Sequence, residues 1–314
     1  MLSVIIPTRN RSALLHSALE SMQSQTLPAD HFEILIIDNG STDNTKYIVS
    51  LFQQRFGNIR YFFDSTPGLH VGRHLGMKNA RAEILVYADD DVIAFPTWLE
   101  GIIESFQDEK VVLVGGKNLP KFETTPPDWI LSMWDKDKNG NRMLTYLSII
   151  DFGNEKKVIS PHYVFGCNFS IRKSILLEAG GFHPDSMPRG MIMYRGDGET
   201  HISRFILKKG YKVIYNPRAS VYHVILKNRM TKEYLFQRCY DQGISDSYNI
   251  IRSNSYSKLI IRWLKYYIKI PLMQADEFTK AHFLGFRYHQ NLCKKNKRLL
   301  EWIERKNYIN NSGI

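Results

Sequence analysis

Glu83-Ile84-Leu85-Val86-Tyr87-Ala88-Asp89-Asp90-Asp91 is an apolar run that ends abruptly in three adjacent carboxylates. Helices can cover a short hydrophobic strand on both faces, but three side-by-side aspartates cannot be hidden with it. The strand must therefore deliver them to an opening at its carboxyl end, where open α/β sheets bind ligands. Like charges so close repel, and a divalent cation is the simplest partner that holds them together. Oxygen ligands with no Cys or His nearby in the sequence favour Mg2+ or Mn2+ over zinc. The plainer alternative is a solvated loop after a strand.

Upstream, Ser3–Pro7 reads as a β-branched strand followed by the polar turn Thr8-Arg9-Asn10-Arg11. Ser12 is placed to cap a helix running to about Gln25, with Leu15, Ala18, Leu19 and Met22 on one face. Phe32–Ile37 is a second buried strand, and Ser41 or Thr42 caps the helix after it. Ile59–Phe63 is a third strand, Leu69–Ala80 a third helix, and Ile84–Ala88 the fourth strand. A helix from Pro96 and a strand at Val111–Val114 follow. Strands alternating with helices predict an α/β fold with a Rossmann-like, mostly parallel sheet. Thr8, Arg9, Asn10, Asp38 and Asp89–Asp91 then recur at one edge, as a nucleotide site requires. Asp38 either accepts from a ribose hydroxyl or base N–H, or closes an Asx turn in Asp38-Asn39-Gly40-Ser41. Neither Gly-x-Gly-x-x-Gly nor a P-loop follows the first strand, which argues against dinucleotide and P-loop enzymes.

The alternation stops after Gly116. Residues 118–228 contain the insertion around Trp129, a strand-like Tyr163–Ile171, a helix opening at Arg195–His201 and stopping at Gly210, and strands at Tyr211–Tyr215 and Ser220–His223. Residues 229–314 are helical, aromatic and basic. There Leu259, Ile260, Trp263, Leu264, Tyr267 and Ile268 share a face, Pro271 breaks the helix, and a second helical region runs from about Ala275 to Lys306. This divides the chain into 1–117, 118–228 and a helical C-terminal extension, 229–314. The extension's apolar face and its cluster Lys294, Lys295, Lys297 and Arg298 fit either an anionic membrane surface or packing on the chain's own domain. A net charge of +11 calls for an anionic partner. Three scattered cysteines exclude a disulfide framework, and neither a signal peptide nor a run of apolar residues long enough for a span is legible. The expected setting is the cytoplasm, with peripheral contact at the inner face of the membrane.

Ser3–Asn10, Ile37–Thr45, Gly68–Gly76, Ala82–Asp91 and Gly166–Lys173, with Gly180-Gly181-Phe182 and Gly196–Glu199 through Gly210-Tyr211, resemble family 2 glycosyltransferases in order and spacing. The resemblance implies the A-type glycosyltransferase fold, with a nucleotide-binding half and an acceptor-binding half. It puts the family's Asp-x-Asp motif on Asp89 and Asp91. Asp91 would ligate Mn2+ or Mg2+, and Asp89 would reach the ribose or a metal-bound water. Pro7, Thr8, Arg9, Asp38, Arg73 and Asp90 join Asp89 as nucleotide-binding residues, and His223 resembles a histidine that some relatives bring to the metal or pyrophosphate. Counting back from Gly210-Tyr211 puts Glu199 on the catalytic base. The order Gly-Asp-Gly-Glu departs from the family's Gly-Glu-Asp and leaves Asp197 as the alternative. Acceptor contacts fall to Trp129, Asn168 and Pro188–Tyr194.

The implied reaction is inverting transfer from a nucleotide diphosphate sugar, UDP-linked in most relatives, to a hydroxyl of a saccharide or lipid-linked saccharide. Two other classes compete with it. A sugar-phosphate nucleotidylyltransferase would open on a Gly-rich basic loop where Pro-Thr-Arg-Asn stands. A nucleic-acid-binding protein would explain the charge, but no recognised module is present, so nucleic acid is not an expected partner.

Overall fold

The computed structural model describes residues 1–254 and 276–310, with Ile261, Trp263 and Leu264 between them. Strands β1 (Leu2–Thr8), β2 (Phe32–Asp38), β3 (Ile59–Phe63) and β4 (Ile84–Ala88) are parallel, in the order β3-β2-β1-β4. Every residue of β1 and β2 is buried, because helices cover both faces. Alternate side chains divide between two cores: Val4 and Ile6 pack with Leu15, Trp98 and Ile102, whereas Ile5 packs with Leu35, Leu85 and Phe182. Thr8 pairs with Asp38, so the polar ends of β1 and β2 share an edge.

The next strands are β5 (Val92–Ala94), β6 (Val111–Gly115), β7 (Asn118–Phe122), β8 (Arg142–Leu144), β9 (Ile149–Asp151), β10 (Lys157–Val158), β11 (Asn168–Arg172), β12 (Lys212–Tyr215) and β13 (Val221–Ile225). The first sheet continues past β4 as β11-β6-β12-β10. β11 is antiparallel to both β4 and β6, and β10 to β12, so the sheet is mostly but not wholly parallel. Because β10, β11 and β12 come from beyond residue 117, the boundary expected there is not one between sheets.

A second sheet, β5-β13-β7-β9-β8, starts immediately after the aspartate triplet. β5 pairs antiparallel with β13 in a register that sets Val92 opposite His223. The Asp91 carbonyl accepts from Val224 N at 2.8 Å, which fixes the end of the triplet against β13.

Helices α1 (Ser12–Gln23), α2 (Thr45–Gln53), α3 (Leu69–Asn79), α4 (Trp98–Ser105), α5 (Asp128–Met133), α6 (Lys173–Glu178), α7 (Thr200–Lys209) and α8 (Lys232–Arg252) complete this part of the chain. The expected caps of the first two helices are corrected. Asp43 accepts from Ser12 N at 3.0 Å and, through its other oxygen, from Thr45 N at 3.0 Å. One carboxylate thus serves both N-termini, which display unpaired N–H groups and a positive dipole end.

In residues 229–314 α8 is followed, among the described residues, by helices at Glu277–Cys293 and Lys297–Glu304. Apart from Trp263 and Leu264, the expected helix face from Leu259 to Ile268 and its break at Pro271 lie outside the described residues. No helix among the described residues is long and apolar enough to cross a membrane.

Candidate active site

A cleft of about 320 Å³ opens at the carboxyl edge of the first sheet, with Pro7, Arg9, Arg11, Asn39, Asp89 and Arg229 on its walls. The triplet divides its labour there. Asp89 has a side chain 33% exposed and faces the opening. Asp90 is buried, accepting from Thr8 Oγ1 at 2.7 Å and from Arg11 Nη1 at 2.6 Å. Both oxygens brace the floor of the cleft, whose lining includes Asp90. Burial, together with the charge of Asp91, outweighs Arg11 and pushes Asp90 up to about 7.

Asp91 is buried at the bottom of the cleft, among its lining residues. Arg229 Nη1 lies 3.0 Å and Arg11 Nη1 3.2 Å from its Oδ2, and His223 Nε2 lies 3.2 Å from its Oδ1. Burial opposes ionisation of Asp91, but His223, Arg229 and Arg11 hold it well below the usual carboxylate range. His223 Nδ1 lies 2.8 Å from the Leu147 carbonyl, which can only accept, so Nδ1 carries a proton. Nε2 faces Asp91 Oδ1, a buried oxygen with no other hydrogen-bond partner. Nε2 and Oδ1 are placed to share either a ring proton or a cation bound to both. These residues fit a divalent cation, with Leu147 orienting the histidine from behind. Among the described residues no three His, Cys, Asp or Glu side chains form a complete metal cage. Mg2+ and Mn2+ sites commonly complete their shell with substrate phosphates and water.

Next to Asp89, Arg73 from α3 is 3% exposed and bridges two acids. Its Nη1 lies 3.3 Å from Glu199 Oε2 and its Nη2 3.8 Å from Asp89 Oδ1, and its guanidinium sits 4.8 Å over Phe182. Glu199 Oε1 accepts from Gly166 N at 3.3 Å. A Cβ at Gly166 would strike Arg73 Nη2 and crowd Glu199 Oε1, so a larger residue there would have to displace the Arg73 guanidinium. Glu199 stands at the start of α7 with its side chain 26% exposed. Gly198, at φ +54°, makes the left-handed turn that points it there, which explains the Gly-Asp-Gly-Glu order. Asp197 faces the other way, paired with His183 Nδ1 at 2.5 Å and with Arg204.

Asp38, Asn168 and Trp129 are engaged within the protein. Asp38 is 1% exposed, and its oxygens accept from Ser41 N and from Tyr61 OH, each at 2.7 Å, so the Asx-turn alternative is the one realised. Asn168 is 1% exposed, donates to Asn118 Oδ1 and the Ala219 carbonyl, and accepts from Trp98 Nε1; it ties the two sheets together and offers nothing to an acceptor. Trp129 packs half-buried on the core of the second sheet with Ile130, Trp134 and Leu147. Arg11 and Arg229 were not foreseen. Arg11 had a signal, since it lies in the same turn as Thr8 and Arg9. Arg229 had none, since only the pairing of β13 with β5 brings it to the triplet.

The layered sheet order, with a cleft over β1 and β4 and an acidic turn leading into a second sheet, is that of the A-type glycosyltransferase fold. The mannosyltransferase PcManGT of Pyrobaculum calidifontis, solved in complex with GDP-Man and Mn2+, superposes with a TM-score of 0.57 over 96% of this chain and 72% of its own, at 16% identity. Residues 3–180, more than half of the sequence, match the model of glycosyl transferase family 2, and the chain belongs to that family. It is 26% identical to the glycosyltransferase AglE of Haloferax volcanii over 68% of its length. It is 24% identical over 77% of its length to the glucosyl-dolichyl phosphate glucuronosyltransferase of the same organism. The matched region spans 63% of AglE and 75% of the glucuronosyltransferase.

Proposed function

We propose that the chain transfers a sugar from a nucleotide diphosphate sugar to an acceptor hydroxyl with inversion, in a reaction that depends on Mn2+ or Mg2+. The observation that carries this reading is the convergence of a cation-fitting pair, Asp91 and His223, with a partly exposed carboxylate, Glu199, that Arg73 links to Asp89. A cation held by Asp91 and His223 would offset the charge that grows on the departing diphosphate. Pro7, Arg9 and Asn39 form the bed for the nucleotide, and Asp89 reaches the ribose or a water on the cation. Glu199 takes the acceptor proton as the hydroxyl oxygen attacks the anomeric carbon from the side opposite the diphosphate. The bond to the diphosphate breaks in the same displacement, and the electron pair leaves with it. Arg73 and Gly166 hold Glu199 at its post.

A UDP-linked sugar is the first donor to test. A saccharide or lipid-linked saccharide is the acceptor class, in line with the name of the glucuronosyltransferase relative. The exposed row Lys294, Lys295, Lys297 and Arg298 serves as contact with an anionic membrane surface at the cytoplasmic face.

Donor hydrolysis or transfer with UDP-, GDP- and dTDP-sugars tests the reading. Glu199→Gln is expected to cut turnover by at least about 10²-fold while donor affinity stays within a few-fold, as loss of a general base does. EDTA should abolish turnover and Mn2+ or Mg2+ restore it. Undiminished turnover in Glu199→Gln removes that residue as base, and undiminished turnover in EDTA removes the cation.

A further inference from the structure

We propose that Arg229 is a ligand of the donor's diphosphate, parked on Asp91 until a divalent cation takes over that carboxylate. The inference rests on the glycosyltransfer reading above and adds to it a residue and an exchange of partners. Arg229 ends the short turn Lys227–Arg229 after β13, with its side chain 21% exposed on the cleft wall. Its Nε donates to Tyr234 OH at 3.0 Å, and its guanidinium lies 5.7 Å from the centre of that ring. Its Nη1 lies 3.0 Å from Asp91 Oδ2 and 3.4 Å from His223 Nε2. The guanidinium thus occupies the same two groups that fit a cation.

Cation and guanidinium cannot share Asp91 and His223 without repulsion, so loading the one displaces the other. Arg11 is less free to yield, because the Nη1 that reaches Asp91 is also 2.6 Å from Asp90 Oδ1. Arg229 has a pivot instead. With Nε kept on Tyr234, its Nη edge swings away from Asp91 into the cleft, where the anion drawn to the cation is the diphosphate. A planar fork of donors suits two phosphate oxygens and would grip the leaving group on the side away from Glu199.

The test uses the full chain. Calorimetric titrations with UDP, GDP and dTDP in Mn2+ are paired with titrations of uridine, guanosine and thymidine, and Mn2+ binding alone is followed by electron paramagnetic resonance. Arg229→Gln is expected to weaken the preferred diphosphate about 10-fold or more and to leave its nucleoside unchanged. The same variant should bind Mn2+ alone several-fold more tightly, because a competing positive charge has gone from Asp91. Tyr234→Phe, which keeps the ring and removes only the pivot, should weaken the diphosphate about threefold with Mn2+ binding unchanged. Opposite changes for metal and diphosphate are the signature, since a residue that merely shapes Asp91 would weaken both. Parallel loss of both, or diphosphate binding equal to wild type in Arg229→Gln, overturns the inference and leaves the glycosyltransfer reading standing. A wild-type chain that takes up none of the three diphosphates with Mn2+ overturns both.

Discussion

Asp197 and Glu199 are two residues apart and have opposite surroundings. Asp197 has a side chain 3% exposed and is gripped by His183 and Arg204. Burial, reinforced by Arg252 and Arg204, lowers His183 well below the usual histidine value, so its ring is neutral and its Nδ1–H donates to Asp197. A carboxylate held this way positions the loop in front of α7 but has no route to an acceptor. Asp197→Asn should therefore lower stability in urea by about 2–4 kcal/mol, after allowance for solvent at the half-exposed Arg204. Glu199→Gln should lower it by no more than about 1 kcal/mol, since Arg73 keeps Asp89 and the amide oxygen still accepts from Gly166. Equal stability of Asp197→Asn and wild type would free Asp197 for the chemistry after all.

At the level of elements, the row Lys294, Lys295, Lys297 and Arg298 sits beside a helix whose apolar face is already used. Leu299, Trp302 and Ile303 of Lys297–Glu304 are buried, and Trp302 Nε1 donates to the Tyr194 carbonyl at 2.9 Å. Any membrane contact by this helix is then one of charge rather than insertion, worth about 1 kcal/mol per basic residue near an anionic surface. Flotation with anionic vesicles at low salt should carry the protein upward, and reversing the four charges or adding about 0.5 M salt should release it. Equal flotation with neutral vesicles, or none with anionic ones, rejects this surface. The same elements show what a sequence discloses. β1, β2 and β4 were legible because strands buried on both faces are written as unbroken apolar runs, and α7 because Gly210 closes it in the left-handed region at φ +69°. The second sheet was not legible. β5, β8 and β9 have three residues each, too few for a period, and β5 pairs with β13, far along the chain. The meeting of Asp91 with His223 depends on that pairing, so only a family resemblance pointed to it.

Across the whole molecule, the C-terminal residues close over the back of the active site through histidines that are kept neutral. α3 carries Arg73 toward Glu199 on one side and His74 toward the C-terminal segment on the other. His74 Nδ1 lies 3.2 Å from the Tyr308 carbonyl, while its Nε2 accepts from Phe182 N at 2.9 Å. His289, on the Glu277–Cys293 helix, reaches Ser247 of α8 at 2.7 Å and the Met193 carbonyl at 3.0 Å. Burial, helped by His70, lowers His74 to about 3, and burial lowers His289 to about 4 despite Met193. His201, stacked 3.7 Å over His183, is lowered to about 3 by burial and by His183. In the unfolded chain these rings take up protons near pH 6.5, whereas in the folded chain they do not until far lower. The unfolded state therefore binds more protons throughout that window, and stability is full above about pH 6.5 and falls as the pH drops toward 4. Each ring contributes at most about 2 kcal/mol of loss between pH 7 and pH 5. Urea unfolding at the two pH values should show that loss, and His289→Gln, which keeps a polar side chain without the titration, should make it smaller. A stability that is flat from pH 7 to 5 would mean that these histidines take up protons in the fold at the same pH as in the unfolded chain. The clasp of the C-terminal segment on α3 would then tolerate a charged ring at His74 as well as a neutral one.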